Sequence, residues 1–191
     1  QRFENAKIQV NGGVTYSSRV DRSGDQNIFV DDEERGHFLA EGVWDINKKW
    51  RAGTNLALVS DDQYFRQYNI TNEDVLENEI YTERFSGRNY STGRIIRFQD
   101  IRVSDRAEDQ PNVLPELYTR FLGNPNSLLG GRWSVEASAL GLQREGNEQD
   151  MYRAVTELGW ERRFISNTGL VTSLNTSLRG DAYRTTDKNL A

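Results

Sequence analysis

Ile8-Gln9-Val10-Asn11-Gly12-Gly13-Val14-Thr15-Tyr16-Ser17-Ser18-Arg19-Val20 is the stretch whose reading decides the fold. Its even positions run Ile8, Val10, Gly12, Val14, Tyr16, Ser18, Val20, and its odd positions run Gln9, Asn11, Gly13, Thr15, Ser17, Arg19. Successive side chains of a β-strand point to opposite faces, so this period of two describes a strand with one apolar and one polar face. The alternation is too long and too regular for a helical stripe, whose apolar positions would recur every three or four residues.

The same pattern spreads outward from this segment. Phe38, Ala40, Gly42, Trp44 and Ile46 oppose His37, Glu41 and Asp45; a turn at Asn47-Lys48-Lys49 follows; then Trp50, Ala52, Thr54, Leu56 and Leu58 alternate with Arg51, Gly53 and Asn55. These two runs form a hairpin. Strands are also predicted around Asn78 to Phe85 and Tyr90 to Gln99, where Arg84, Arg94 and Arg97 leave the apolar face undecided. Val113 to Phe121 carries Pro115, which removes a ladder hydrogen bond and points to a strand end or a bulge. Trp133, Val135, Ala137 and Ala139 face away from Arg132, Ser134, Glu136 and Ser138. Tyr152, Ala154, Thr156, Leu158 and Trp160 face away from Arg153, Glu157 and Glu161. Leu170, Leu174 and Leu178 close the series against Ser173, Asn175, Ser177 and Arg179.

The connections alternate in length. Asp21 to Gly36, Ser60 to Glu77 and Gln99 to Asn112 are long, whereas Asn47 to Lys49, Ser86 to Arg88 and Ile165 to Gly169 are short; Leu122 to Gly130 and Gln143 to Asp150 are of intermediate, similar length. Long loops on one side and short turns on the other mark an outer-membrane barrel. The expected fold is therefore all-β, an antiparallel up-and-down meander of about nine strands, forming an open segment of a large transmembrane β-barrel with residues 1–191 in one incomplete barrel domain. Two alternatives stand beside it: another outer-membrane porin or receptor barrel, and a soluble β-sandwich that binds carbohydrate.

Composition agrees. Only 36% of the 191 residues are hydrophobic and 28% are charged, which is thin for a soluble core, yet four Trp, eight Tyr and eight Phe are too many aromatics for a chain that never orders. A barrel wall reconciles the two, because half of each strand faces a wet lumen. No run of eighteen apolar residues exists, so a membrane helix is excluded, and Gln1-Arg2-Phe3-Glu4 has no signal-peptide pattern. A net charge of −5 with dispersed arginines argues against a nucleic-acid partner.

The search for chemistry returns little. His37 is the one histidine, placed where a strand begins after a charged loop, and no Gly-x-Ser-x-Gly elbow accompanies it, so an interfacial side chain is favoured over a catalytic base. No enzyme, cofactor or metal site is expected. The absence of Cys removes disulfides and thiolate ligands. Asp31-Asp32-Glu33-Glu34 suits a hard cation in principle, but it lacks the alternation and central Gly of a calcium loop, and a solvated loop is the plainer reading. Gly123-Asn124-Pro125-Asn126 is turn chemistry. Trp44, Trp50, Trp133 and Trp160 lie near strand ends, as an interfacial girdle would place them; core residues of a soluble sheet are the alternative.

Several ordered segments resemble the LptD family of lipopolysaccharide-assembly proteins. They are Leu56-Ala57-Leu58-Val59-Ser60-Asp61-Asp62-Gln63-Tyr64-Phe65-Arg66-Gln67-Tyr68, then Glu83-Arg84-Phe85, Gly87-Arg88-Asn89-Tyr90, Phe98-Gln99-Asp100 and Pro111-Asn112-Val113-Leu114-Pro115-Glu116-Leu117. Gly130-Gly131-Arg132-Trp133 and Leu178-Arg179-Gly180-Asp181-Ala182-Tyr183 extend the likeness. The resemblance implies a Gram-negative outer-membrane barrel of about 26 strands. It also implies a periplasmic jellyroll, paired cysteines and the first and last barrel strands, none of which is among these residues. The implied partners are lipopolysaccharide, an LptE-like lipoprotein plug and a periplasmic lipopolysaccharide bridge reached through the jellyroll.

On that basis the candidates for the lumen and the lipopolysaccharide path are Arg19, Glu41, Asp45, Arg51, Asn55, Arg132, Glu136, Arg153, Glu157, Asn175 and Arg179. Candidates for the lipid face are Val10, Val14, Tyr16, Trp44, Leu56, Trp133, Leu158, Trp160 and Leu174.

Overall fold

The computed structural model describes residues 2–21, 27–102, 111–144 and 149–186. They form one antiparallel sheet of ten strands in sequence order: β1 (Arg2–Phe3), β2 (Ala6–Asp21), β3 (Ile28–Asp45), β4 (Trp50–Val59), β5 (Val75–Ser86), β6 (Asn89–Asp100), β7 (Asn112–Leu122), β8 (Arg132–Gln143), β9 (Asp150–Ile165) and β10 (Val171–Thr186). Nine are long and β1 has two residues, so the expected meander of about nine strands is what forms. First and last strands are not paired with each other, leaving the sheet open.

Turn chemistry fixes one end of the sheet. Gly87 and Gly169 adopt φ of 63° and 84° in the β5–β6 and β9–β10 turns, a conformation in which a Cβ is strained. At the 46–49 turn, Asn47 Oδ1 accepts the amides of Lys49 and Trp50 at 2.9 and 3.1 Å. Loop 123–131 lies at this same end, where Asn126, Leu129 and Gly130 all take positive φ. Pro115 sits in a bulge as expected: β7 slips against β8 between Val113 and Glu116, and against β6 between Arg94 and Ile96.

One expectation fails. Residues 28–36 belong to β3 and pair with β2 rather than forming part of a long loop, so Asp31, Asp32, Glu33 and Glu34 are strand residues. The reason is cross-strand compensation that a charge run does not reveal: Arg19 Nε donates to Glu33 Oε1 at 2.5 Å across the hairpin, and the ladder absorbs the extra residues in a bulge between Ser17 and Arg19. Residues 22–26, 103–110 and 145–148, within the β2–β3, β6–β7 and β8–β9 connections, lie outside the described residues.

The small core sits on one face near the long-loop end. Val59, Tyr64, Phe65, Leu76 and Ile101 are buried together, with Leu39, Ala57 and Ile70 packed against them. Three of these residues, Tyr64, Phe65 and Ile70, come from the 60–74 connection, which makes one turn of helix, α1 (Tyr64–Gln67), and folds back onto the sheet.

Candidate functional site: a two-faced wall with an inward-folded loop

Residues paired across an antiparallel ladder share a face, so the register sorts every strand residue. Ala6↔Trp44, Val10↔Ala40, Val14↔Gly36 and Tyr16↔Glu34 join β2 to β3; Ala40↔Leu56 joins β3 to β4. Thr54↔Ile80↔Ile95 carries the face across β5 and β6, then Gly93↔Leu117↔Ala139 across β7 and β8. Trp133↔Trp160↔Thr176 and Val135↔Leu158↔Leu178 complete it in β8 to β10. All nine apolar candidates lie on this face: Val10, Val14, Tyr16, Trp44, Leu56, Trp133, Leu158, Trp160 and Leu174.

Its charges are confined to its two ends. Arg84 and Arg162 lie at the short-turn end, where the Arg84 guanidinium is 5.9 Å from the Trp50 ring and that of Arg162 4.7 Å from Phe164. Glu34, Arg97 and Arg184 lie toward the long loops. Between them the described rows hold aliphatic and aromatic side chains, Gly and Thr, with no Asp, Glu, Lys, Arg or His. Those apolar side chains are bare: Val10 is 58% and Val14 83% exposed. All four Trp belong to this face, and all four sit at the short-turn end.

The opposite face holds all eleven polar candidates: Arg19, Glu41, Asp45, Arg51, Asn55, Arg132, Glu136, Arg153, Glu157, Asn175 and Arg179. The structure brings several into ion pairs, cross-strand except for Arg179 with Asp181, which are two residues apart in β10. Arg51 meets Asp45 at 2.8 Å, Arg153 meets Asp181 at 3.0 Å, Arg179 meets Asp181 at 3.1 Å, and Arg120 meets Glu136 at 3.1 Å. Glu41 is opposite Asn55, and Glu157 is opposite both Glu136 and Arg179. Of the eleven, Arg153 lines a trough of about 770 Å³ on this face across β5 to β9.

The sequence reading did not single out the rest of that trough. Tyr81, Tyr90 and Tyr118 share it with Glu79, Glu83, Arg94 and Glu116. Arg94 bridges Glu116 at 2.8 Å and Glu79 at 3.5 Å, and the Tyr90 hydroxyl donates to Glu83 at 2.7 Å. The Tyr81 ring lies where a Cβ on its partner Gly53 would be, an interlock that needs glycine at that position. The available signal was the i, i+2 spacing of Glu79, Tyr81 and Glu83, opposite Arg94 and Thr92.

The 60–74 loop covers the β2–β4 end of the same face. Arg35, 1% exposed, donates from Nε and Nη2 to Asp61 at 2.8 and 2.7 Å, and from Nη1 to Gln67 at 2.7 Å. This fork is the strongest ion-pair geometry available to a carboxylate. Burial opposes ionisation of Asp61, but hydrogen bonds from Arg35, Ser60 and the Gln63 amide outweigh it and hold the carboxyl below its ordinary value. Gln63 Nε2 donates to Val20 O at 2.5 Å, and the Tyr68 hydroxyl reaches Thr15 at 3.4 Å. His37 is mid-strand beneath this loop, not at a strand start: Nε2 is 2.9 Å from Asn11 Oδ1, and its ring is 5.5 Å from that of Tyr64. The resembling segment Leu56 to Tyr68 is thus a strand end, a carboxylate anchor and an aromatic plug in one motif.

Where the loop enters, β4 and β5 part company. Backbone pairing stops at Asn55↔Glu79, and side chains replace it. Asn78 Oδ1 accepts the Ala57 amide at 2.8 Å, while Gln99 accepts the Val59 amide at 3.4 Å and donates to Val59 O at 2.8 Å.

A one-sheet meander with an apolar, charge-free band on one face and a charge ladder on the other is the wall of a β-barrel. The family model described as LptD, LPS transport system D, matches residues 33–191, and the chain belongs to that family as a segment of its barrel domain. No curated protein matches the sequence.

Proposed function

We propose that this chain is wall of the Gram-negative outer-membrane translocon that inserts lipopolysaccharide into the outer leaflet, and that residues 1–191 belong to a single barrel domain. The role is transport and no bond is made or broken. The apolar face carrying Val14, Leu56, Leu158 and Leu174 meets lipid, the tryptophans mark its periplasmic border, and the long loops lie outside. The charged face lines the lumen, where sugars and phosphates keep polar partners while acyl chains leave sideways.

The observation that carries this reading is the confinement of face charges to the ends of the apolar band in a chain of the LptD family. A charge at mid-bilayer costs about 2–4 kcal/mol on a barrel's lipid face and little on its lumen face, so selection by the two media sorts the rows this way. Lipopolysaccharide is then the cargo, an LptE-like lipoprotein the plug, and a periplasmic bridge protein the donor through a jellyroll.

The test places a photo-crosslinking residue in the whole protein, in cells, at Arg153, Glu136 or Tyr118 and separately at Leu158 or Val135. Lipopolysaccharide in transit is expected to crosslink from the first set, with yields that fall when delivery from the periplasm is blocked. Equal, delivery-independent crosslinking from both sets would remove the reading.

A further inference from the structure

The short-turn end of the sheet contains a cationic corner at the rim of the wall, where side chains of both faces meet loop 123–131. Loop 123–131 brings Gly130, Gly131 and Arg132 against Arg162 and Arg163, around a pocket of about 300 Å³ whose one acidic lining residue is Glu161. Glu161 is 3.7 Å from Arg163, while Arg132, directly opposite Glu161 in the ladder, takes no hydrogen-bond or ion-pair partner among the described residues; its Nε is fully enclosed. The Arg132 side chain lines the pocket without a paired carboxylate, and a guanidinium is the group that best forks onto a phosphate.

The corner's neighbours say where that phosphate comes from. Arg162 lies two residues beyond Trp160 on the apolar face, just outside the Trp133–Trp160 pair. Arg162 Nη1 donates to Leu129 O and Trp133 Nε1 to Leu128 O, each at 3.1 Å, which holds the loop against the tryptophans. The side chains of Leu128 and Leu129 are left 74% and 65% exposed. Two bare leucines, an aromatic belt and Arg162 on the apolar face, with Arg132 and Arg163 reaching the same pocket from the charged face around one carboxylate, match a lipid headgroup region at the rim: apolar side chains for the acyl boundary, cations for the phosphate.

We propose that the corner formed by Gly130–Arg132, Arg162 and Arg163 binds the phosphate of an anionic phospholipid in the leaflet at the short-turn end, with Leu128 and Leu129 seated at that lipid's acyl boundary. The proposal rests on the reading that the apolar face meets lipid. It concerns a resident lipid of the wall and not the transported cargo.

The experiment uses the whole protein with its lipoprotein partner in nanodiscs of phosphatidylcholine with or without phosphatidylglycerol, and native mass spectrometry of the lipids retained. Wild type is expected to retain phosphatidylglycerol in preference to phosphatidylcholine. Arg132→Gln, which breaks no hydrogen bond, should weaken that preference on the order of fivefold. Arg132→Gln combined with Arg162→Gln and Arg163→Gln should abolish it, heat-modifiable gel mobility confirming that both variants are folded. Undiminished preference in a folded triple variant, or equal retention of both lipids by wild type, overturns the site. Complete displacement of phosphatidylglycerol by millimolar inorganic phosphate would show a free-anion site and overturn the lipid assignment. Quenching by brominated-chain lipids, compared between wild type and Trp133→Phe, tests the underlying reading separately: quenching that the substitution does not reduce would remove the lipid-facing belt, whatever the headgroup result.

Discussion

The β2–β4 end and the β8–β10 end of the same sheet are stabilised in different ways. At the first, Phe65 is completely buried, Arg35 is 1% exposed, and a folded-in loop gives the sheet a conventional protein core. At the second, Val171–Thr186 is exposed along its whole length, and Leu178 is 73% bare although its row partner Leu158 is in register. The first region carries its own apolar environment; the second has little protein over either face among the described residues. Strand pattern alone does not separate them, since both alternate with period two, and the distinction comes from what covers each face.

The largest effect expected from breaking this contrast is in the core. Phe65→Ala should cost about 3–5 kcal/mol, because a fully buried aromatic leaves a cavity among Tyr64, Leu76 and Ile101. Hydrogen exchange in the whole protein should show the loss in residues 60–74 with β8 to β10 unchanged; loss spread evenly over the sheet would mean the two ends are one cooperative unit. Next comes Arg35→Met, which strands the Asp61 carboxylate and should cost about 3 kcal/mol in unfolding from liposomes. Asp61→Asn in the same background should recover part of that cost.

At the wall itself, Val10→Arg should cost about 2 kcal/mol and Asn11→Arg much less, since the two residues occupy opposite faces. Equal damage would erase the facing assignment. Acid supplies a smaller lever. The Asp61 carboxyl is held below its ordinary value of 3.8, so the docking it stabilises is fully present above that value and is lost as pH falls through the lowered one. Protection of residues 60–74 should therefore stay constant from pH 7 to about 5 and decline only in stronger acid; a midpoint near neutrality would assign the latch to another group. The smallest effect belongs to Val10→Leu, expected within about 0.5 kcal/mol because lipid adapts to a shape that a packed core would reject.

Much of the wall was legible in the sequence because alternation separates the two faces directly: Val10 and Asn11, or Leu158 and Glu157, fall on opposite faces as parity predicts. Pro115 announced its bulge for the same local reason. Long-range compensation was not legible. Glu33 in a run of four acids looks like a solvated loop until Arg19 appears across the hairpin, and His37 looks terminal until β3 is seen to begin at Ile28. Arg35 stands among charges, and nothing nearby in sequence shows that its partners Asp61 and Gln67 are 26 and 32 residues away. The trough is assembled from five strands, so its tyrosines and carboxylates converge only through register.

The seam between β4 and β5 bears on the mechanics of the wall. A closed barrel carries circumferential tension through its backbone ladder, which is stiff because every amide is fixed to the chain. Beyond Asn55↔Glu79 the load passes instead through the Asn78 and Gln99 carboxamides, whose rotatable side chains stretch and let go at lower force than a paired strand. Under lateral strain, the rim of the wall is expected to yield first at Ala57 to Val59, directly beneath the inward loop, so that the plug and the compliant part of the hoop move together.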